Sequence, residues 1–137
     1  MVAECQESDP SVIHWSSALC ERNAQRPELI RLSTVTAAES LDPARPAHEF
    51  SQVRYERVRT LVAHRIRLDR EKGRLAPTAD PEGLAAELTA LDGLQPQWLV
   101  QPPVDSCGLL RTALRRLAAG PDGAAGAGLQ VGARRDV

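Results

Sequence analysis

The most informative part of the sequence for the fold is Asp80-Pro81-Glu82-Gly83-Leu84-Ala85-Ala86-Glu87-Leu88-Thr89-Ala90-Leu91-Asp92-Gly93-Leu94-Gln95-Pro96-Gln97-Trp98-Leu99-Val100. Asp80 can accept hydrogen bonds from the free N–H groups of a first helical turn, and Pro81 suits the first helical position. Apolar side chains then recur at helical spacing, which predicts an amphipathic helix. Its apolar face comprises Leu84, Leu88, Leu91, Leu94 and Trp98.

Two residues in the second half of this stretch oppose a straight helix. Gly93 and Pro96 both lower helix stability, Pro96 by about 3 kcal/mol if it lies in a helix interior. The stretch therefore predicts a bent element whose apolar face packs against other parts of the protein.

The composition of the chain restricts the class of protein. With 137 residues, the chain is long enough for one domain. Its 17 basic and 18 acidic residues nearly cancel, so no overall field draws it to nucleic acid or to a membrane. No apolar run of about 18 residues predicts a membrane span. The acidic N-terminus is unlike a signal peptide, and we expect a cytoplasmic protein.

The three cysteines are widely spaced and form no paired motif. Cys5, Cys20 and Cys107 are an odd number of thiols without a Cys-x-x-Cys spacing. This pattern predicts reduced thiols, with Cys5 exposed and the other two packed or incidental, rather than a disulfide or a zinc site. We expect no metal and no cofactor.

Prolines and glycines divide the remaining sequence into further helices. Apolar residues at helical spacing predict helices near 10–26, 27–39, 46–72 and 106–119. Gly73 is expected to end the third of these in the left-handed conformation, and Gly120 is expected to end the last. No stretch alternates with the period of a strand. The predicted fold is all-α, an antiparallel bundle of about five helices. The predicted organisation is a disordered N-terminus (1–9), a domain (10–119) and a disordered Gly/Ala-rich tail (120–137).

Residue patterns that carry catalysis are missing from the sequence. The three histidines are isolated, and no zinc, phosphate-loop or serine-hydrolase motif occurs. We therefore expect no catalytic site and no enzyme. Glu39 lies near the apolar side of its helix, so it either points inward or lies on the surface. His48 with Glu49 either binds a ligand or forms a solvated helix start, which the sequence favours.

The arginines between Arg54 and Arg74 raise the question of nucleic-acid binding. No aromatic residues are interleaved with them, and Glu56, Asp69 and Glu71 dilute the positive charge. The pattern favours a solvated face of a long helix, with ion pairs between neighbouring turns.

Several runs, taken together and in order, resemble the regulatory domain of TetR-family transcriptional regulators. The resemblance extends over about residues 10–118. Pro96 departs from it, because the family carries an aliphatic residue there. The matching runs are Pro27-Glu28-Leu29-Ile30-Arg31-Leu32, Ala38-Glu39-Ser40-Leu41-Asp42-Pro43-Ala44-Arg45-Pro46-Ala47-His48-Glu49-Phe50, Arg54-Tyr55 and Ala90-Leu91-Asp92-Gly93-Leu94-Gln95-Pro96-Gln97-Trp98-Leu99.

The resemblance implies a bacterial type of regulator that senses a small hydrophobic effector and forms a homodimer through its last two helices. In the family a DNA-binding helix–turn–helix precedes this region, and this chain does not contain one, so we expect DNA contact only through another module. The implied effector pocket comprises Trp15, Leu19, Leu32, Thr36, Glu39, Phe50, Tyr55 and Leu88. The implied dimer interface comprises Leu84, Leu88, Leu91, Gly93, Leu94, Trp98, Leu110, Ala113, Leu114 and Leu117.

Two roles are compatible with such a chain. The first is an effector-sensing and dimerisation domain in the regulation of transcription, as a homodimer or as a heterodimer with a full-length relative. The alternative is a stand-alone helical module for protein interaction, or a dominant-negative partner of a full-length regulator.

Overall fold

The computed structural model describes residues 10–100 and 105–123. Within these ranges all regular structure is helical, so the predicted all-α class is confirmed for the described residues. The predicted disorder of residues 1–9, and of the tail from 124 onward, lies outside them. The helices are α1 (Val12–Ala24), α2 (Pro27–Glu39), α3 (Pro46–Glu71), α4 (Pro81–Asp92), α5 (Pro96–Val100) and α6 (Ser106–Gly123).

Proline marks the beginning of four helices. Pro27, Pro46, Pro81 and Pro96 begin α2, α3, α4 and α5, where their fixed φ fits and no amide donor is needed. The Asp80 carboxylate accepts a hydrogen bond from the Glu82 N–H at 3.2 Å, which confirms the predicted cap of α4.

Three predicted boundaries differ from the structure. The first helix begins at Val12 rather than at Pro10, because the Ser11 hydroxyl caps it by accepting from the His14 N–H at 3.2 Å. The bent element is two helices, since the chain turns at 93–95 and Pro96 starts a new helix. The last helix continues past Gly120 to Gly123.

Gly73 ends the longest helix in the way that the sequence predicts. It has a φ of 71°, the one positive φ among the described residues. Only glycine adopts this conformation without steric cost, and it reverses the chain after α3. The reversal returns the backbone along α3, and α3 and α4 pack against each other more extensively than any other described pair of helices.

The core lies between α1, α3, α4 and α6. Its centre is formed by Ala63 and Ile66 of α3 and Ala85 of α4, each 1 % exposed. Burial of a side chain as large as Ile66 contributes about 1.5–3 kcal/mol, and burial of an alanine methyl contributes less, so the larger members of this cluster supply much of the stability. The cluster comprises Val12, Cys20, Val62, Ala63, Ile66, Leu75, Ala85, Leu88, Leu110 and Leu114.

Helix α2 contributes far less to the interior. Ile30 is its one buried residue, and it lies outside the main cluster. Three large apolar side chains of α2 point into solvent instead, with exposures between 44 % and 63 %. These are Leu29, Leu32 and Val35.

A buried carboxylate joins the ends of α1 and α3. Asp69 is 2 % exposed, and its carboxylate accepts from the Val12 N–H at 2.8 Å and from the Arg74 Nε–H at 2.9 Å. The sequence-based prediction placed Asp69 on a solvated face, which is wrong because the residue continues the buried stripe of Val62 and Ile66. The Asp69 carboxylate therefore caps the N-terminus of α1, although Asp69 belongs to α3, and Arg74 compensates its buried negative charge.

Contacts between partly buried or exposed side chains connect the helices further. The Arg65 guanidinium lies 4.7 Å from the ring centroid of Trp15, which joins α3 to α1. Arg111 donates to Glu21 at 2.7 Å between α6 and α1. None of the described helices combines the length and the apolar character that a membrane span requires.

Candidate functional site

The eight residues of the implied effector pocket lie in different environments. Leu88 is buried in the core, and Trp15, Leu19 and Thr36 are half-buried. The remaining four are exposed, among them Glu39, whose position favours the surface alternative over the inward one. The exposed set comprises Leu32, Glu39, Phe50 and Tyr55.

The interior of the bundle contains a very small void. Its volume is about 10 Å³, which is on the order of one water molecule rather than an effector. Among the eight implied pocket residues, Leu88 alone lines it. The lining residues are Val12, Ile13, Ile66, Leu75, Leu84, Leu88 and Leu114.

A larger depression lies on the exposed side of α3. It has a volume of about 560 Å³ and is open to solvent. Its lining combines apolar side chains with both signs of charge and an imidazole, all from one helix. These residues are Val53, Glu56, Arg57, Thr60, Leu61 and His64.

The residues of the implied dimer interface divide into two groups. Leu88, Leu110 and Leu114 are buried in the core of the single chain, where a partner cannot reach them. Leu94 is 50 % exposed, and Gly93 beside it is exposed as well. Leu84, Leu91 and Ala113 are half-buried, and the side chains of Trp98 and Leu117 lie outside the described set.

The three histidines lie in different surroundings. His14 and His64 are exposed. The His48 ring nitrogen Nδ1 lies 2.8 Å from the Ser40 carbonyl oxygen, so His48 joins the start of α3 to the end of α2. The described residues contain no group of three or more potential metal ligands.

The structure brings together two cysteines that are far apart in sequence. The sulfur atoms of Cys20 on α1 and Cys107 on α6 are 2.8 Å apart. Burial raises the pKa of the Cys20 thiol to about 12, and the hydrogen bond with Cys107 adds to this. Both cysteines are free thiols, as the sequence predicts, but the sequence does not predict that they lie close together.

The sequence contains a signal for the burial of the residues in two contacts that it does not predict, the Cys20–Cys107 contact and the hydrogen bond between Asp69 and Val12. Cys20 continues the apolar face of α1, and Cys107 lies three residues before Leu110, so both thiols share the faces of core residues. Asp69 lies three residues after Ile66 on the buried stripe of α3. The spacing of these residues is therefore compatible with their burial, although it does not identify their partners.

Comparisons with known proteins identify no relative of this chain. No family model, no curated protein and no solved structure matches it.

Proposed function

We propose that this chain is the effector-sensing and dimerisation domain of a TetR-like transcriptional regulator, with its dimer contact on the segment from α4 to α6. The resemblance of the sequence runs supports this role, and the all-helical fold is compatible with it. The proposed arrangement of the domain is an antiparallel bundle. DNA contact is assigned to a separate module.

The observation that carries the proposal is apolar surface left exposed on α4 to α6. Leu94 is 50 % exposed, Leu109 is 62 % exposed and Val100 is 81 % exposed. Exposed large apolar side chains also occur on α2 and α3, but the resemblance of the sequence runs assigns the dimer contact to this segment, where a partner would cover them. Leu110 and Leu114 of α6 are buried in the core of the single chain. The proposed contact with a second copy therefore uses the exposed Leu94, Val100 and Leu109.

The size of the particle in solution tests the dimer. Sedimentation velocity over a range of concentrations should show a dimer for the natural chain and a monomer for Leu94→Glu and Leu109→Glu. Leu41→Glu is the matched control, because Leu41 is 82 % exposed and lies outside this segment. A natural chain that sediments as a monomer at all concentrations contradicts the proposal.

Effector sensing requires a change of conformation in this bundle. The interior void of about 10 Å³ leaves no space for a ligand, so binding selects a state in which α1, α3 and α4 separate around Leu88. A thermal-shift panel of hydrophobic small molecules tests this. A ligand at about 100 times its Kd adds about 2.7 kcal/mol of stability.

The variant for the effector test changes an implied pocket residue beside the core. Trp15→Leu should reduce the thermal shift caused by a hit, because Trp15 belongs to the implied pocket and packs against the core cluster. Leu41→Ala should retain it. A broad panel without a stabilising compound counts against sensing and leaves the dimer proposal standing.

A second function, a protein-interaction module, is favoured by the exposed side of α3. Val53 and Leu61 are 46 % and 45 % exposed there and line the open depression together with Arg57. A chain that forms dimers but binds no small molecule supports this alternative. Co-expression with a full-length regulator, followed by isolation of a mixed dimer, tests its dominant-negative form.

A further inference from the structure

The two thiols of α1 and α6 are held close to bonding distance. The Cys20 and Cys107 sulfurs are 2.8 Å apart, and a disulfide bond measures about 2.05 Å. Less than 1 Å of approach separates the thiol pair from a covalent bond. The two residues are 87 positions apart, so such a bond connects the first and last helices of the described chain.

The surroundings of the two thiols are unequal. Cys20 is 1 % exposed, whereas Cys107 is partly exposed, so a reagent in solution meets Cys107 first. The pKa of Cys20, raised by burial to about 12, keeps its sulfur protonated at neutral pH. The Asp92 and Glu21 carboxylates add to this effect by opposing a second negative charge. Cys107 is therefore the sulfur that attacks an oxidant.

We propose that Cys20 and Cys107 form an oxidation site, at which a peroxide converts the thiol pair into a disulfide that joins α1 to α6. The Cys107 thiolate attacks one peroxide oxygen, the O–O bond breaks, and the departing hydroxide combines with the thiol proton as water. The Cys20 sulfur then attacks the sulfenic sulfur of Cys107. The S–O bond breaks, and the hydroxyl leaves with the Cys20 proton as a second water.

The bond would restrict the chain strongly because it spans most of the domain. Closing a loop of this length removes much conformational freedom from the unfolded state, and a native spacing close to bonding distance limits strain. We expect the midpoint of thermal unfolding to rise by roughly 10 °C on oxidation and to return on reduction. The contact between α1 and α6 thereby becomes sensitive to peroxide.

The test uses the full chain with Cys5→Ser, treated with stoichiometric hydrogen peroxide. This background is needed because the tryptic peptide 1–22 contains both Cys5 and Cys20. The intact protein should lose the mass of two hydrogens. Non-reducing digestion should then link peptide 1–22 to peptide 75–111, which contains Cys107.

The matched control adds Cys107→Ser to the same background. Cys107 is only partly buried, so this variant should fold, keep Cys20 reduced and show no thermal shift with peroxide. The proposal is overturned if the treated Cys5→Ser protein still has two titratable thiols after denaturation. Links only between chains, or a mass increased by oxygen atoms, overturn it as well.

Discussion

Helices α2 and α4 begin with the same two residues, but their apolar side chains are buried to different extents. Both start with Pro-Glu, at Pro27 and Pro81, and they have 13 and 12 residues. Yet α4 buries Ala85 and Leu88 in the core, while the large aliphatic side chains of α2 point mainly into solvent. An amphipathic pattern therefore identifies an apolar face, but it does not show whether another part of the protein covers that face.

Truncation of one leucine in each helix gives the largest expected difference. Leu88→Ala should lower the free energy of unfolding by about 2–5 kcal/mol, because Leu88 is 7 % exposed and its loss leaves a cavity. Leu32→Ala should change it by less than about 0.5 kcal/mol, because Leu32 is 63 % exposed. Urea unfolding monitored by circular dichroism measures both. Equal losses would show that α2 is covered in solution, for example by a second copy.

Removal of the buried carboxylate extends the comparison to polar groups. Asp69→Ala leaves the Val12 N–H without its acceptor and Arg74 without the carboxylate, which should cost about 2–4 kcal/mol. Asp42→Ala is the control, since the Asp42–Arg45 pair is more than half exposed and contributes about 0–1 kcal/mol. The same urea series measures both. A small loss at Asp69 would contradict the proposed joining of α1 to α3.

A smaller effect depends on pH and concerns the core thiol. The folded state raises the pKa of Cys20 from 9.0 to about 12, so the folded chain retains a proton that the unfolded chain loses. The resulting stability is complete below pH 9.0 and decreases as the pH rises toward about 12. At one pH unit above the ordinary pKa of 9.0, the free energy of unfolding should be lower by about 1 kcal/mol. Cys20→Ala should remove this part of the alkaline slope in urea unfolding at a series of pH values; an unchanged slope would refute the assignment.

The smallest expected effect concerns an ion pair between α3 and α4. Arg67 pairs with Glu82, and both side chains are more than 40 % exposed. Arg67→Ala should therefore cost about 0.5 kcal/mol, and less at high salt because solvent and ions screen the pair. A loss well above 1 kcal/mol would show that the packing of the Arg67 stem, rather than its charge, holds the helices together.

The site residues were harder to predict from the sequence than the helices. The helical spacing correctly predicts that Leu88 and Leu114 lie on apolar helix faces. It does not show whether such a face packs against the same chain or against a partner. In this chain both serve the core. The exposed Leu94, by contrast, remains a candidate for an interface, because nothing in the described residues covers half of its surface.

The helical class and several helix boundaries follow from the local sequence. Pro81 with its Asp80 cap and Gly73 with its positive φ act through neighbouring residues, so a local pattern is sufficient to predict them. Which of the apolar faces are buried depends on the tertiary structure. The hydrogen bond between Asp69 and Val12 spans 57 positions, and the contact between the two thiols spans 87. Such partners meet only when the chain folds. Their burial depends on residues far away in the sequence, which a local hydrophobic period does not include.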